Sequence, residues 1–236
     1  MPVFFIDKDV EANANIKISR GEDLFLHLLS VLRVKKGEQL RLFSNRYIYQ
    51  TEVEEISKDY ILLHIQNISA LSFPEPHLHI VQAVIQVEKL ETTLRLNIPL
   101  YVKKFFFFRA SKSQFSLNRI SIERLKRVAQ SVSEQSEVCY LPEIVFLNNL
   151  EEVFRESQET FFAVLHPKGG KSVVSYIEDM EKFPLITILI GPEGGFTEKE
   201  VKLFEEYNAN FITLKSGIFR SEFAGFALSS VLRELL

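Results

Sequence analysis

Near the C-terminus, two apolar runs each stop at a glycine-bearing loop that leads into a helical stretch. This arrangement narrows the possible fold more than any other feature of the chain. Leu185 to Ile190 (LITILI) reads as a strand buried on both faces. It stops at Gly191-Pro192-Glu193-Gly194-Gly195, where glycines allow backbone angles that other residues avoid. Thr197 is placed to cap a helix, with Glu198 and Glu200 in the first turn, where carboxylates suit the helix dipole. A second strand, Asn210 to Leu214, enters the loop Lys215 to Arg220, and an apolar helix starts at about Ser221. Two such units opening on the same side describe an open α/β sheet with a ligand at its C-terminal edge. A P-loop is excluded because Phe-Thr, and not Lys-Ser/Thr, follows Gly194-Gly195. A dinucleotide fingerprint is excluded because the chain has no G-x-G-x-x-G.

The rest of the 236 residues predicts two domains, 1–72 and 73–236, with the break at Ala70 to Pro76, where Ser72, Pro74 and Pro76 interrupt regular structure. In the first, short strands near 3–6, 15–19, 38–43, 47–56 and 60–66 suggest a small β-barrel. A helix is expected over Gly21 to Val34, with Leu24, Leu28, Val31 and Leu32 on one stripe. In the second, strands are expected at His77 to Val84, Tyr101 to Phe108 and Thr160 to Leu165, the last running into the loop Leu165 to Gly170. Helices are expected at Val87 to Asn97 and Ser121 to Glu137. The alternation points to a mainly parallel sheet.

The net charge of −3 argues against sequence-blind nucleic-acid binding but leaves room for local basic faces, such as Lys35, Lys36, Arg41 and Arg46. The single cysteine, Cys139, excludes an internal disulfide and a cysteine-based metal cage. The five histidines show no metal-ligand spacing, so no metal is expected. No apolar run reaches the roughly 18 residues of a membrane helix and no signal peptide opens the chain, so a soluble cytoplasmic protein is expected.

IGPEGGFTEKE followed by LKSGIFRSEFA closely resembles the ribosomal RNA methyltransferases that methylate N3 of a uridine in 16S RNA. That family belongs to the SPOUT class of S-adenosylmethionine enzymes. The resemblance implies a C-terminal α/β domain with a trefoil knot, an architecture that spacing alone would not suggest. HLLSVLRVKKGEQLRLF, residues 27 to 43, resembles the family's N-terminal PUA-like barrel. By resemblance, His27 and Arg33 are expected on the RNA side; Lys35 and Lys36, and Lys112 from the basic stretch Lys103, Lys104, Arg109 and Lys112, are expected there from their clustering. The cofactor is expected against Leu165 and His166 in a first loop, and Ile190, Gly191, Glu193, Gly194 and Gly195 in a second. Leu214, Ser216, Ile218, Phe219 and Arg220 make the third.

Arg220 is the expected catalytic residue, stabilising a developing uracilate or orienting the target; its bland alternative is an ion pair with Glu222 or Glu193. Ser221 is expected to cap the last helix. The target uridine is expected to leave its stack, since N3 faces its pairing partner in a helix; Phe196 and Phe219 could then stack on it or belong to the core. Enzymes of this fold generally act as dimers with the C-terminal helix in the interface, so the resemblance implies a homodimer; the apolar run Phe223 to Leu236 allows this and could equally pack on its own sheet.

The middle of the chain departs from the family pattern. Pro99 and Tyr101 stand where glutamate and glycine are expected, and Ala110-Ser111-Lys112-Ser113 replaces a Ser-Glu-Arg-Ser-like segment. Two alternatives to the main reading therefore stay open: a non-catalytic RNA-binding relative, and a methyltransferase of this fold acting on another RNA.

Overall fold

The computed structural model describes residues 1–11, 14–156, 159–167, 169–215 and 217–236. The chain divides into two units, Met1–Ser72 with Ser133–Leu141, and Phe73–Val132 with Pro142–Leu236.

The first unit holds β1 (Val3–Phe5), β2 (Ile16–Ser19), the short helix α1 (Asp23–Leu26), β3 (Gln39–Phe43), β4 (Tyr47–Ile56) and β5 (Tyr60–Ala70). These strands form one sheet in the order β1-β3-β4-β5-β2, with β1 parallel to β3 and the other pairs antiparallel. Period-two alternation sends Ile16 and Ile18, Leu40 and Leu42, and Ile61 and Leu63 into one core. The stretch Ser133–Leu141, placed in the second domain by the sequence division, falls in this unit. Cys139 and Leu141 pack with Val3 and Phe43, and the Phe5 N–H donates to Glu134 Oε1 at 3.1 Å.

The expected helix over Gly21 to Val34 takes a different form. After α1, residues His27–Leu32 form a π-helix, and Arg33 then takes a left-handed conformation with φ 53. The wider π turn shifts the periodicity. Phe25 and Leu28 enter the core, while Val31 is 66% and Leu32 38% exposed, so the expected stripe breaks at its C-terminal half.

The second unit runs β6 (His77–Ala83), α2 (Val87–Asn97), β7 (Val102–Phe108), α3 (Ile122–Gln135), β8 (Glu143–Leu147), α4 (Glu151–Glu156) and β9 (Thr160–Leu165). It continues with α5 (Ile177–Met180), β10 (Leu185–Ile190), α6 (Glu198–Glu206), β11 (Asn210–Ile212) and α7 (Ser221–Leu235). α3 continues into the first unit. The six strands form a wholly parallel sheet in the order β11-β9-β10-β6-β7-β8. β10 lies between β9 and β6, which explains its apolar character on both faces. The C-terminal ends of β9, β10 and β11 lie on neighbouring strands, so their three loops emerge together. The strand β8 and the short helices α4 and α5 are additions to the sequence reading.

Two local features explain how helices seat against this sheet. Gly225 in α7 faces strand side chains so closely that a Cβ would lie 2.7 Å from Ile190 Cδ1 and 3.2 Å from Ile80 Cδ1. Tyr101, which stands where the family pattern has glycine, keeps the left-handed backbone that suits glycine, with φ 56. Arg233 of α7 holds this corner by donating to the carbonyls of Leu100, Pro76 and Tyr101. Among the described residues no helix is long and apolar enough to cross a membrane.

Candidate active site

The three loops at the C-terminal edge surround a cavity of about 550 Å³. Its size lies in the range that holds a nucleoside-sized ligand. Ser216 lies outside the described residues. All the other residues expected against a cofactor, from Leu165 to Arg220, line this one cavity. Lys89, Pro167, Pro192, Phe196, Ile212, Thr213, Gly217, Ser221 and Ala224 line it as well and were not among them.

Thr213 joins the first and third loops. Its hydroxyl donates to the His166 carbonyl at 2.9 Å and accepts the Gly170 N–H at 3.1 Å. Around it the two segments continue as a short ladder: His166 N–H to Ile212 O, Lys171 N–H to Phe211 O, and Thr213 N–H to Lys171 O. Gly170 is wedged against this ladder, and a Cβ there would lie 2.7 Å from the carbonyl carbon of Ile212.

In the second loop a Cβ on Gly191 would press on the Phe196 ring at 3.3 Å, and Gly195 takes a positive φ of 66. Phe196 itself is buried and meets Phe204 edge-on at 4.7 Å, so it belongs to the core and not to a base-stacking surface. Phe219 is 41% exposed and lines the cavity.

Ser221 acts differently from the expected helix cap. Arg220 occupies the N-cap position of α7, with no side-chain cap bond. The Ser221 hydroxyl turns instead to the second loop, donating to the Gly191 carbonyl at 2.6 Å and accepting from Gln82 Nε2 at 2.8 Å. Gln82 is fully buried in β6. It links the sheet, the glycine loop and α7. A lone amide inside the apolar run IVQAVI was the available signal, since a buried polar group must find partners.

Two cations and one carboxylate mark the rim. Lys89 Nζ donates to Glu193 Oε1 at 2.6 Å. Burial works to raise the Glu193 carboxyl, but the Lys89 hydrogen bond, Glu193's own backbone N–H and the Lys89 charge hold it below the ordinary carboxylate range. The same hydrogen bond raises the Lys89 ammonium, against a smaller opposing effect of burial. Glu193 is thus taken by Lys89 and Glu222 is buried. Exposed Arg220 has no ion-pair partner among the described residues, so its bland alternative does not occur.

A capping box starts α6. The Thr197 N–H and hydroxyl both donate to Glu200 Oε2 at 2.7 Å, and the Glu200 N–H donates to Thr197 Oγ1. Glu200 Oε1 also accepts the Ser111 N–H at 2.8 Å. Burial works to raise this carboxyl, yet the N–H groups of Ser111 and Thr197 and the Thr197 hydroxyl hold it below the ordinary range. Its contribution to stability is therefore full above the unfolded carboxylate value of about 4.3 and is lost as pH falls through the lower folded value. Glu200→Gln is expected to destabilise the protein by about 1 kcal/mol at pH 7, with the gap to the parent closing below about pH 4. Thermal melts across this range check it; a gap independent of pH would contradict it.

The expected RNA-side residues fall in two places. His27, Arg33, Lys35 and Lys36 are exposed on the first unit, with the His27 ring edge-on to Phe4 at 5.5 Å. Lys112 is on the second unit, and its ammonium donates to the carbonyls of Gly194 at 3.1 Å and Phe196 at 3.2 Å. The structure thus places it against the glycine loop.

Comparison with known proteins agrees with this geometry. Residues 73–233 match the RNA methyltransferase domain family, and residues 21–66 match the RNA methyltransferase PUA domain. Ribosomal RNA small subunit methyltransferase E 2 of Borreliella burgdorferi is 27% identical over 215 residues, covering 89% of this chain and 88% of that one. Ribosomal RNA small subunit methyltransferase E of Rickettsia conorii is 27% identical over 225 residues, covering 94% and 91%. The crystal structure of the methyltransferase E from Neisseria gonorrhoeae, bound to S-adenosyl methionine, superposes with a TM-score of 0.87 at 19% identity. It covers 100% of this chain and 98% of that one.

Proposed function

Because this chain belongs to the RNA methyltransferase family, we propose that it methylates N3 of a specific uridine in 16S ribosomal RNA of the small subunit, with S-adenosylmethionine as methyl donor. The observation that carries this reading is the cavity where three strand-end loops meet, with exposed Arg220, which has no ion-pair partner among the described residues, on its rim. The residues present fit the cofactor. The cavity has room for an adenosyl group, Gly195 and Gly217 line it with open space where a Cβ would stand, and Leu165, Ile190 and Leu214 give apolar walls.

When bound, the cofactor supplies an activated methyl group. The chain's own residues do the rest. Leu165, His166, Ile190, Gly191, Glu193, Gly194 and Gly195 hold it from two loops, and Leu214, Ile218 and Phe219 from the third, with Ser216 assigned there by resemblance. Lys89 keeps Glu193 ionised and fixed. Arg220 is the catalytic residue: as N3 gives its proton to solvent water, negative charge spreads onto the uracil oxygens, and a guanidinium at the rim stabilises it. His27, Arg33, Lys35 and Lys36 would contact RNA phosphates from the PUA domain.

The same reading includes the trefoil threading of the C-terminal segment and a homodimer. Phe223 and Phe226 of α7, three residues apart and 38% and 36% exposed, support pairing of two copies through this helix.

The test uses small subunits from a strain lacking the gene, purified protein and labelled S-adenosylmethionine, with the modified nucleotide mapped by mass spectrometry. Label on N3 of one 16S uridine is expected. No label from folded protein, or label on another RNA, would overturn the assignment.

A further inference from the structure

Lys112 is held in a way that an RNA contact does not require. It sits in the tight turn Ala110–Ser113 after β7, closed by Ser113 N–H to Ala110 O and by Ala110 N–H to Ser113 Oγ. Ala110 and Ser113 are buried, so the turn is seated firmly in its own unit. From this base two links run to the second loop and its end, and a third to the helix that follows it. The Lys112 ammonium donates to the carbonyls on either side of Gly195, those of Gly194 and Phe196, and the Ser111 N–H donates to Glu200 in the capping box. The Lys112 stem also lies over Gly194, where a Cβ would come within 3.3 Å of its Cβ and Cδ. The side chain therefore fills the space that a larger residue at 194 would take, and its charge satisfies the two carbonyls that flank the left-handed Gly195.

We infer that Lys112 is a positioning residue for the glycine loop, setting Gly194 to Phe196 in the shape that receives the cofactor, and that it does not act as an RNA contact. This rests on the reading of the cavity as a S-adenosylmethionine site. The geometry also accounts for a lysine here: two carbonyls about 3 Å away need a compact cation with several donors.

The test compares Lys112→Met and Lys112→Arg with the parent protein in three measurements. These are calorimetric binding of S-adenosylmethionine, kcat and KM for transfer to small subunits, and hydrogen exchange of the Gly194 to Phe196 amides in the ligand-free protein. Lys112→Met is expected to weaken cofactor binding and raise its KM by about tenfold, equivalent to the loss of one charged hydrogen bond. kcat at saturating cofactor should stay within about threefold, and loop exchange should quicken. Lys112→Arg, which keeps charge and donors on a larger planar head, recovers part of the affinity. RNA binding and its salt dependence stay as in the parent. The inference is overturned if Lys112→Met leaves cofactor affinity and loop exchange unchanged. It is equally overturned if the variant lowers RNA affinity and reduces the salt slope by about one, the mark of a lost phosphate contact. Failure of the parent protein itself to bind S-adenosylmethionine would defeat the cofactor assignment, and the ligand-free exchange would still decide the role of Lys112.

Discussion

Arg220→Ala is expected to lower kcat for methyl transfer by about two to three orders of magnitude, the usual loss when a preorganised charge is removed from a developing anion. The side chain is exposed, caps α7 only through its backbone, and pairs with no carboxylate among the described residues. Its removal therefore leaves no buried partner behind, and the melting temperature should stay within a degree or two of the parent. The carboxylates on either side have other settings: Glu193 is held by Lys89 and Glu222 is buried in the first turn of α7. Arg220→Lys tests the chemistry further. It keeps a positive charge but loses the planar fork, so it should recover only part of the rate. Steady-state kinetics on small subunits, with melting curves for each variant, check the pair of outcomes. Near-parental turnover by Arg220→Ala would remove Arg220 from the mechanism.

Gly170→Ala is expected to damage both fold and site. A Cβ at this position would lie 2.7 Å from the Ile212 carbonyl carbon, 2.7 Å from Thr213 Oγ1 and 2.8 Å from the Phe211 carbonyl carbon. Two of these three are main-chain atoms of β11, which cannot rotate aside as a side chain can. Relief requires β11 and the loop after it to move away from the β9 loop. That movement stretches the bonds Thr213 makes to both segments. Overpacking of this kind costs about 1–3 kcal/mol, a drop of several degrees in a chain of this size. Because Thr213, His166 and Leu214 line the cavity, cofactor affinity should fall by at least about tenfold as well. Gly217→Ala is the control for stability, since a Cβ there meets open space. Parental melting and affinity in Gly170→Ala would show that the loops are not packed as described.

Much of the architecture was legible because local and global signals agree in the strands. LITILI and TFFAVL are short, apolar and bounded by turn residues, and they become the adjacent strands β10 and β9. Thr197 with Glu200 three residues later marked the start of α6, and the capping box is present in full. β8 was harder to read. It is an edge strand of five residues behind Pro142, with one face only partly covered, so its pattern is weak. α4 and α5, with six and four residues, are too short to display a helical period. The π-helix at His27–Leu32 defeated the 3.6-residue template outright, since its extra residue per turn moves Val31 and Leu32 out of the core stripe.

The site divides along the same line. Its glycine loops announce themselves through residue type, and the described residues that the resemblance assigns to the cofactor line one cavity. Lys89, Gln82 and Thr213 act through partners far along the chain: Lys89 through Glu193, Gln82 through Ser221, and Thr213 through His166 and Gly170. No spacing rule links such positions before the fold brings them together. Lys112 carries two signals: its basic stretch suggests RNA, and the turn that holds it aims its ammonium at two carbonyls of its own unit.

The most direct test of the site is hydrogen exchange on the full chain, with and without saturating S-adenosylmethionine. The account predicts protection concentrated in the three loops, residues 165–167, 190–196 and 212–221, with the remaining strands of both units unchanged. Protection elsewhere, or none from protein that is folded and monodisperse, would contradict the assignment of this cavity to the cofactor.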